Sequence, residues 1–287
     1  MKGIVLAGGL GSRLYPLTLS ISKHLLPVYD KPLIFYPISV LMLAGIKDIL
    51  IICNPIHLEQ YKTLLGNGDK YGISLNYEIQ EEPKGICNAL LVGKDFIGKD
   101  DFSLILGDNI FYGPGMTHIL KKSINNNLLG ATVFTYHVPD QSKFGVINYS
   151  KNGKIGNIVE KPKGEKPGSA VTGLYLFKNE AMMFCKEIKP SKRGECEITS
   201  LLNIYAKNDI LLEQKLGRGF VWFDAGSFET LIEVSNFVRS IEKRHGYKIA
   251  CLEEIALGNG WLNKKIDKKN SLFKIQNEYY SYVRGLY

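Results

Sequence analysis

Gly3-Ile4-Val5-Leu6-Ala7-Gly8-Gly9-Leu10-Gly11-Ser12-Arg13-Leu14 reads as an apolar strand, a glycine-rich turn and a basic residue. Phosphates bind to exposed backbone N–H groups at close range, and glycines let the chain approach them and adopt positive φ. The stretch reads as a phosphate cradle. It is not a Walker loop, because no Gly-Lys-Ser/Thr follows, and Leu14 stands where a dinucleotide fingerprint has its third glycine. Taken alone, it is also compatible with an ordinary glycine turn. Arg13 and Lys23 give it context, since a guanidinium fork and an ammonium placed after such a turn neutralise a triphosphate.

Around this stretch, strand-like and helix-like segments alternate as in βα units on a largely parallel sheet. Strands are expected at 2–6, 49–53, 75–80 and 103–106, and helices at 34–44, 56–65, 86–96 and 116–126. Beyond Gly130 the texture turns strand-rich, with strands at 131–138, 144–149, 155–160 and 170–177 and helices at 180–188 and 198–207. From about Glu229 the chain reads as helix, with Leu231, Val234, Phe237, Val238 and Ile241 at helical spacing. That stripe needs a partner, the chain's own body in the first instance or a subunit interface. The division expected is an α/β core over 1–228, with halves of about 1–130 and about 131–228, and a helical region over 229–287.

The composition is that of a globular protein: 287 residues, 45% hydrophobic and 22% charged. The apolar run in Met1–Gly9 is too short for a signal-peptide core, and no long apolar stretch occurs elsewhere, so the reading is a cytoplasmic protein with no membrane partner. Cys53, Cys87, Cys185, Cys196 and Cys251 lie far apart, without zinc-site or disulfide-framework spacing. The net charge of +8 is spread along the chain rather than gathered in a nucleic-acid patch. Nucleic acid is therefore not an expected partner.

Asp108 ends the run Leu104–Gly107, so its carboxylate projects from the carboxyl end of a buried strand, where open α/β sheets place ligands. Asp224 follows Val221-Trp222-Phe223 in the same way. Magnesium takes one or two such carboxylates together with phosphate oxygens, which makes the two aspartates a candidate metal pair. Glu160-Lys161-Pro162 ends another strand with groups of opposite sign, read as a salt-bridged strand end or as a sugar phosphate contact by Lys161 and a sugar hydroxyl contact by Glu160. Gly173, inside an apolar strand, signals close approach of a ligand or another backbone.

With these motifs in view, the chain resembles the glucose-1-phosphate thymidylyltransferases of the sugar-phosphate nucleotidyltransferase family. The resemblance is carried by LAGGLGSRLYP, SKHLLPVYDKP, LMLAGIKDILII, LGDNIFYG, FGVI, EKP, AVTGLY, RGECEIT and WFDAG, in order over nearly all of residues 1–257. It implies a Rossmann-like core with a central mixed, mostly parallel sheet, ordered binding with nucleotide first, and a homotetramer often inhibited by a downstream nucleotide sugar. It implies that Gly8, Gly11, Ser12, Arg13 and Lys23 hold the triphosphate, that Leu6 and Gly9 also bind the nucleotide, and that Gln80 and Gly85 read the pyrimidine edge. Asp108 and Asp224 then hold Mg2+, Lys161 and Arg193 meet the sugar phosphate, and Gly145, Glu160 and Val171 meet the sugar. The partners implied are a nucleoside triphosphate, dTTP first, and a sugar 1-phosphate.

The chain departs from the family pattern at several points. The usual PDGLAQA reads Pro83-Lys84-Gly85-Ile86-Cys87-Asn88-Ala89, and His24 stands for glutamine, Phe144 for tyrosine, Ser200 for aspartate, Ala225 for threonine and Pro114 for a histidine of the regulatory region. These changes keep UTP, or another sugar 1-phosphate, as an alternative. A nucleotide-sugar sensor without chemistry is a more distant one, since it has no evident need of two metal carboxylates.

Overall fold

The computed structural model describes every residue except 83, 128, 192–193 and 264–273. In chain order, the first half comprises β1 (Lys2–Ala7), β2 (Pro27–Val28), β3 (Lys31–Pro32), α1 (Phe35–Leu43), β4 (Asp48–Cys53), α2 (Leu58–Leu65), β5 (Ser74–Ile79), α3 (Ile86–Val92), α4 (Lys94–Ile97), β6 (Phe102–Leu106), β7 (Asn109–Tyr112) and α5 (Met116–Asn126). There follow β8 (Ala131–Val138), β9 (Gly145–Tyr149), β10 (Ile155–Glu160), β11 (Gly168–Phe177), α6 (Ala181–Glu187), α7 (Ile198–Lys207), β12 (Leu211–Lys215) and β13 (Val221–Asp224). The chain closes with α8 (Phe228–His245), α9 (Leu252–Gly258) and α10 (Glu278–Gly285).

The central sheet runs β5-β4-β1-β6-β11-β8-β12, parallel throughout except that β11 opposes both its neighbours. The β9–β10 hairpin joins it through Ala170 and Val146. The sheet is thus mixed and mostly parallel, flanked by helices, with a helical C-terminal region. β1 lies in its interior, and successive residues Ile4 and Val5 are fully buried in the cores on opposite faces. A strand covered on both faces must read as a continuous apolar run, as this one does.

Three features differ from the sequence expectation. Gly93 divides the helix expected over 86–96 into α3 and α4; a Cβ there would lie 3.1 Å from the Leu50 side chain, so the glycine lets the helix lie close against β4 at a cost in helix propensity. β7 and β13 form a separate antiparallel ribbon in which Asn109 faces Asp224. Among the described residues the helical last region is divided into three helices. α8 begins at a Ser227 cap and ends at left-handed Gly246, and its buried Leu231, Val234 and Val238 pack with Leu14, Val28, Leu33 and Tyr36.

A buried ion cluster ties α8 to the segment that follows the glycine turn. Glu242 accepts from Lys31 Nζ (3.0 Å), Lys248 Nζ (3.0 Å) and the Ile249 amide (2.9 Å), and both lysines also bond Asp30. Burial raises the Asp30 carboxyl, but the two lysines outweigh it and hold the group below its ordinary value. Removing Glu242 leaves two buried lysines sharing the single carboxylate of Asp30, an excess of buried positive charge. Glu242→Leu is expected to cost about 3 kcal/mol or more in urea unfolding, whereas Lys154→Ala, which breaks the exposed pair with Asp209, costs less than ~1 kcal/mol.

Candidate active site

β1 and β6 are parallel neighbours with Leu6 opposite Leu106, so the glycine turn and Asp108 leave the sheet side by side at its carboxyl edge. The turn bends back at Gly11, left-handed at φ 65°, whose carbonyl accepts from Thr18 Oγ1 at 2.7 Å. A short helical turn at Lys23–Leu25, capped by the Ser22 side chain, then directs Lys23 Nζ onto Asp108 Oδ2. Gln80, just past β5, closes the opposite wall; a Cβ on Gly8 would lie 2.9 Å from its Oε1. A cavity of about 240 Å³ lies between these groups, lined by Leu6, Gly8, Gly9, Lys23, Gln80 and Gly85 among others.

A second cavity of about 270 Å³ adjoins it and shares Gly85, Leu106 and Asp108 with it. Its walls include Arg13, Gly145, Glu160, Lys161, Val171 and Asp224. Gly145 pairs with Glu160 across the β9–β10 hairpin, and Lys161 follows with φ 46°, its amide donating to the Phe144 carbonyl at 2.9 Å. Phe144 leans on Trp222 with ring centroids 5.0 Å apart. Thus the residues expected to meet the triphosphate and the sugar fall around two adjoining cavities that meet at Asp108. Ser12 is exposed and lines neither, Gly11 shapes the turn without lining either, and Arg193 lies outside the described residues.

The two aspartates hold their charge with unequal ease. Burial pushes the Asp108 carboxyl up, but the Lys23 ammonium and the Asn109 amide more than offset this and hold it well below the usual carboxylate range. Asp224 is pushed up to about 6, first by burial and then by the neighbouring Asp108 charge, with Lys23 and Arg13 offsetting only part. The pair lacks positive charge. A hard divalent cation fits that deficit and the two oxygen donors available. Among the described residues no cluster of three or more His, Cys, Asp or Glu offers a rival metal site, and all five cysteines are free thiols.

Sequence reasoning passed over Asn109. Its Oδ1 accepts from the Gly173 amide (2.9 Å) and Trp222 Nε1 (2.6 Å), while its Nδ2 donates to Asp108 Oδ1 (3.0 Å). One buried carboxamide therefore links Asp108, β11 and β13. It fills the irregularity between Val171 and Tyr175 in β11, and a Cβ on Gly173 would lie 2.6 Å from its Oδ1. The glycine inside that strand was legible as a close approach; the side chain making it was not, because an asparagine after a strand-end aspartate also reads as a turn.

Residues 2–241 match the nucleotidyl transferase family. The chain belongs to that family. It is 48% identical over 286 residues to the glucose-1-phosphate thymidylyltransferase of Neisseria meningitidis serogroup A, covering all of this chain and 99% of that one. It is 51% identical over 265 residues to the Neisseria gonorrhoeae enzyme of the same name, covering 92% of each. Among solved structures, a Bacillus anthracis protein assigned as a glucose-1-phosphate thymidylyltransferase and solved with sucrose superposes with TM-score 0.76 at 40% identity, over 83% of this chain and 95% of that one. A UDP-glucose pyrophosphorylase solved with UDP-glucose gives TM-score 0.73 at 28% identity, over 84% and 98%. Away from the aspartates lies a cavity of about 530 Å³ lined by Tyr112, Gly113, Met116, His245, Lys248 and Cys251, among others.

His24 lines the cavity beside the glycine turn, with Nδ1 3.0 Å from Ser22 Oγ and 3.1 Å from the Tyr61 hydroxyl. Burial, then the Lys23 charge, pushes it down to about 3. The unfolded chain takes up this proton near pH 6.5 and the folded nucleotidyltransferase does not, so stability is complete above about pH 6.5 and falls as pH drops from there towards 3. Between pH 7 and pH 5 the loss is about 2 kcal/mol. His24→Gln is expected to flatten this part of the urea-midpoint profile; an unchanged slope rejects the assignment.

Proposed function

We propose that the protein transfers a thymidylyl group from dTTP to α-D-glucose 1-phosphate, forming dTDP-glucose and pyrophosphate. Nucleotidyltransferases of this type generally use a divalent metal, and the relatives act on a nucleoside triphosphate and a sugar 1-phosphate. The observation that carries the reading is the meeting of two cavities at Asp108, glycine-lined on one side and bounded by Glu160 and Lys161 on the other.

A sugar phosphate with second pKa near ~6 is largely dianionic at pH 7, so its oxygen attacks the α-phosphorus without a protein base. The bond from the α-phosphorus to the bridging oxygen breaks, and pyrophosphate leaves with its electron pair. His24, pushed down to about 3, is a poor base, in keeping with that route. Magnesium, when bound by Asp108 and Asp224, supplies charge neutralisation at the phosphates. Lys23 exchanges Asp108 for phosphate oxygens, Arg13 neutralises the developing charge, and Lys161 fixes the sugar phosphate in line. Arg193 belongs to the same proposal as a second sugar phosphate contact, and Gly145, Glu160 and Val171 as sugar contacts.

The same reading carries a homotetramer working in the cytoplasm. Among the described residues no helix is long and apolar enough to cross a membrane. The 530 Å³ cavity flanks Pro114, in the region to which the resemblance assigns regulation by a downstream nucleotide sugar.

Pyrophosphate release with Mg2+ and glucose 1-phosphate, supplying dTTP, UTP, CTP, ATP and GTP separately, is expected to be fastest with dTTP. Preference for another nucleotide moves the base assignment and keeps the mechanism; no release with any nucleotide or any sugar 1-phosphate overturns it. Arg13→Ala is expected to lower kcat by roughly two to four powers of ten, and a normal rate removes Arg13 from the chemistry.

A further inference from the structure

The nucleotide cavity contains one amide whose orientation is fixed from behind. Gln80 Nε2 donates to the Gly85 carbonyl at 3.5 Å and to Asn88 Oδ1 at 3.3 Å. A backbone carbonyl only accepts, so Gly85 distinguishes the nitrogen of Gln80 from its oxygen. Both amide hydrogens are thereby engaged. Oε1 makes no hydrogen bond among the described residues and sits on the Gly8 side, where the absent side chain leaves its approach open. Asn88, in the first turn of α3, lines neither cavity of the site.

Resting on the proposed function, we propose that Asn88 is a specificity-determining positioning residue: by taking the second hydrogen of Gln80 it locks the glutamine oxygen towards the base. A locked acceptor pairs with the ring N3–H of thymine or uracil. Cytosine presents a bare N3, so two acceptors would face each other in a buried site, which costs more than a lost hydrogen bond. Without Asn88 only the 3.5 Å contact with Gly85 opposes rotation. The last torsion of glutamine is broad and roughly two-fold, so the amide then turns and offers a donor to cytosine N3.

The test is kcat/KM for dTTP and dCTP at fixed glucose 1-phosphate, with Kd for each nucleotide by calorimetry, on wild type, Asn88→Leu and Asn88→Asp. Asn88→Leu removes the acceptor and is expected to reduce the dTTP-to-dCTP preference about tenfold in both measures. Asn88→Asp keeps an acceptor and is expected to preserve the wild-type preference. An unchanged preference in Asn88→Leu overturns the lock, as does an equal loss in Asn88→Asp, which would assign Asn88 a packing role alone. Wild type that binds dTTP and dCTP equally also overturns the lock. Wild type that binds no thymidine nucleotide overturns the proposed function instead.

Discussion

Two carboxylates in contact at the edge of a buried sheet are the constraint around which this site is built. At close range in a poorly solvated place, like charges cannot both be held cheaply. The fold resolves this asymmetrically. Asp108 keeps its charge because Lys23 and Asn109 occupy its two oxygens, and Asp224 is driven towards its neutral form. The glycine turn, the short turn that aims Lys23, the β7–β13 ribbon and the irregularity in β11 all place groups against this pair. The arrangement leaves a need for positive charge, which a divalent cation with oxygen ligands fits.

Most of the fold was legible because its periodicities are strong. β8 and β10, α5 and α7 run over the residues the pattern marked, and β1, β4 and β6 differ from it by one residue at an end. What escaped was short or exposed. β12 lies at the sheet edge with Leu212 largely open to solvent, so it lacks the continuous apolar run of an interior strand. β7 and β13 are four residues each and pair only with one another, and nothing local in either segment announces its partner. The break at Gly93 depends on Leu50, far away in sequence.

The site divides along the same line. Asp108 and Asp224 were legible as strand ends, and the stretch after β1 as a glycine turn beside them, because each is defined by its own neighbours in sequence. The sugar side rested on resemblance: Glu160-Lys161-Pro162 reads equally well as a salt-bridged strand end, and its Glu160–Lys161 distance of 4.0 Å leaves room for that reading. Asn109 was legible from neither source, since its importance exists only once β11 and β13 have been brought to either side of it.

The cation that faces Asp108 also explains why the C-terminal region belongs to the site rather than to its periphery. Lys23 comes from a segment that crosses from the glycine turn to α1, and such a segment holds a charge in place only if both its ends are fixed. One end is tied by Thr18 to Gly11. The other is tied through Lys31 and Asp30 to Glu242 and Lys248, with Leu14, Leu26 and Val28 packed under α8 between them. Burying four charged side chains costs desolvation and need not raise stability over an apolar contact. What the cluster adds is direction, because a satisfied ionic network accepts one arrangement where an apolar surface accepts several. α8 and the described residues after it therefore fix where the Lys23 segment runs, although none of them lines either of the two cavities.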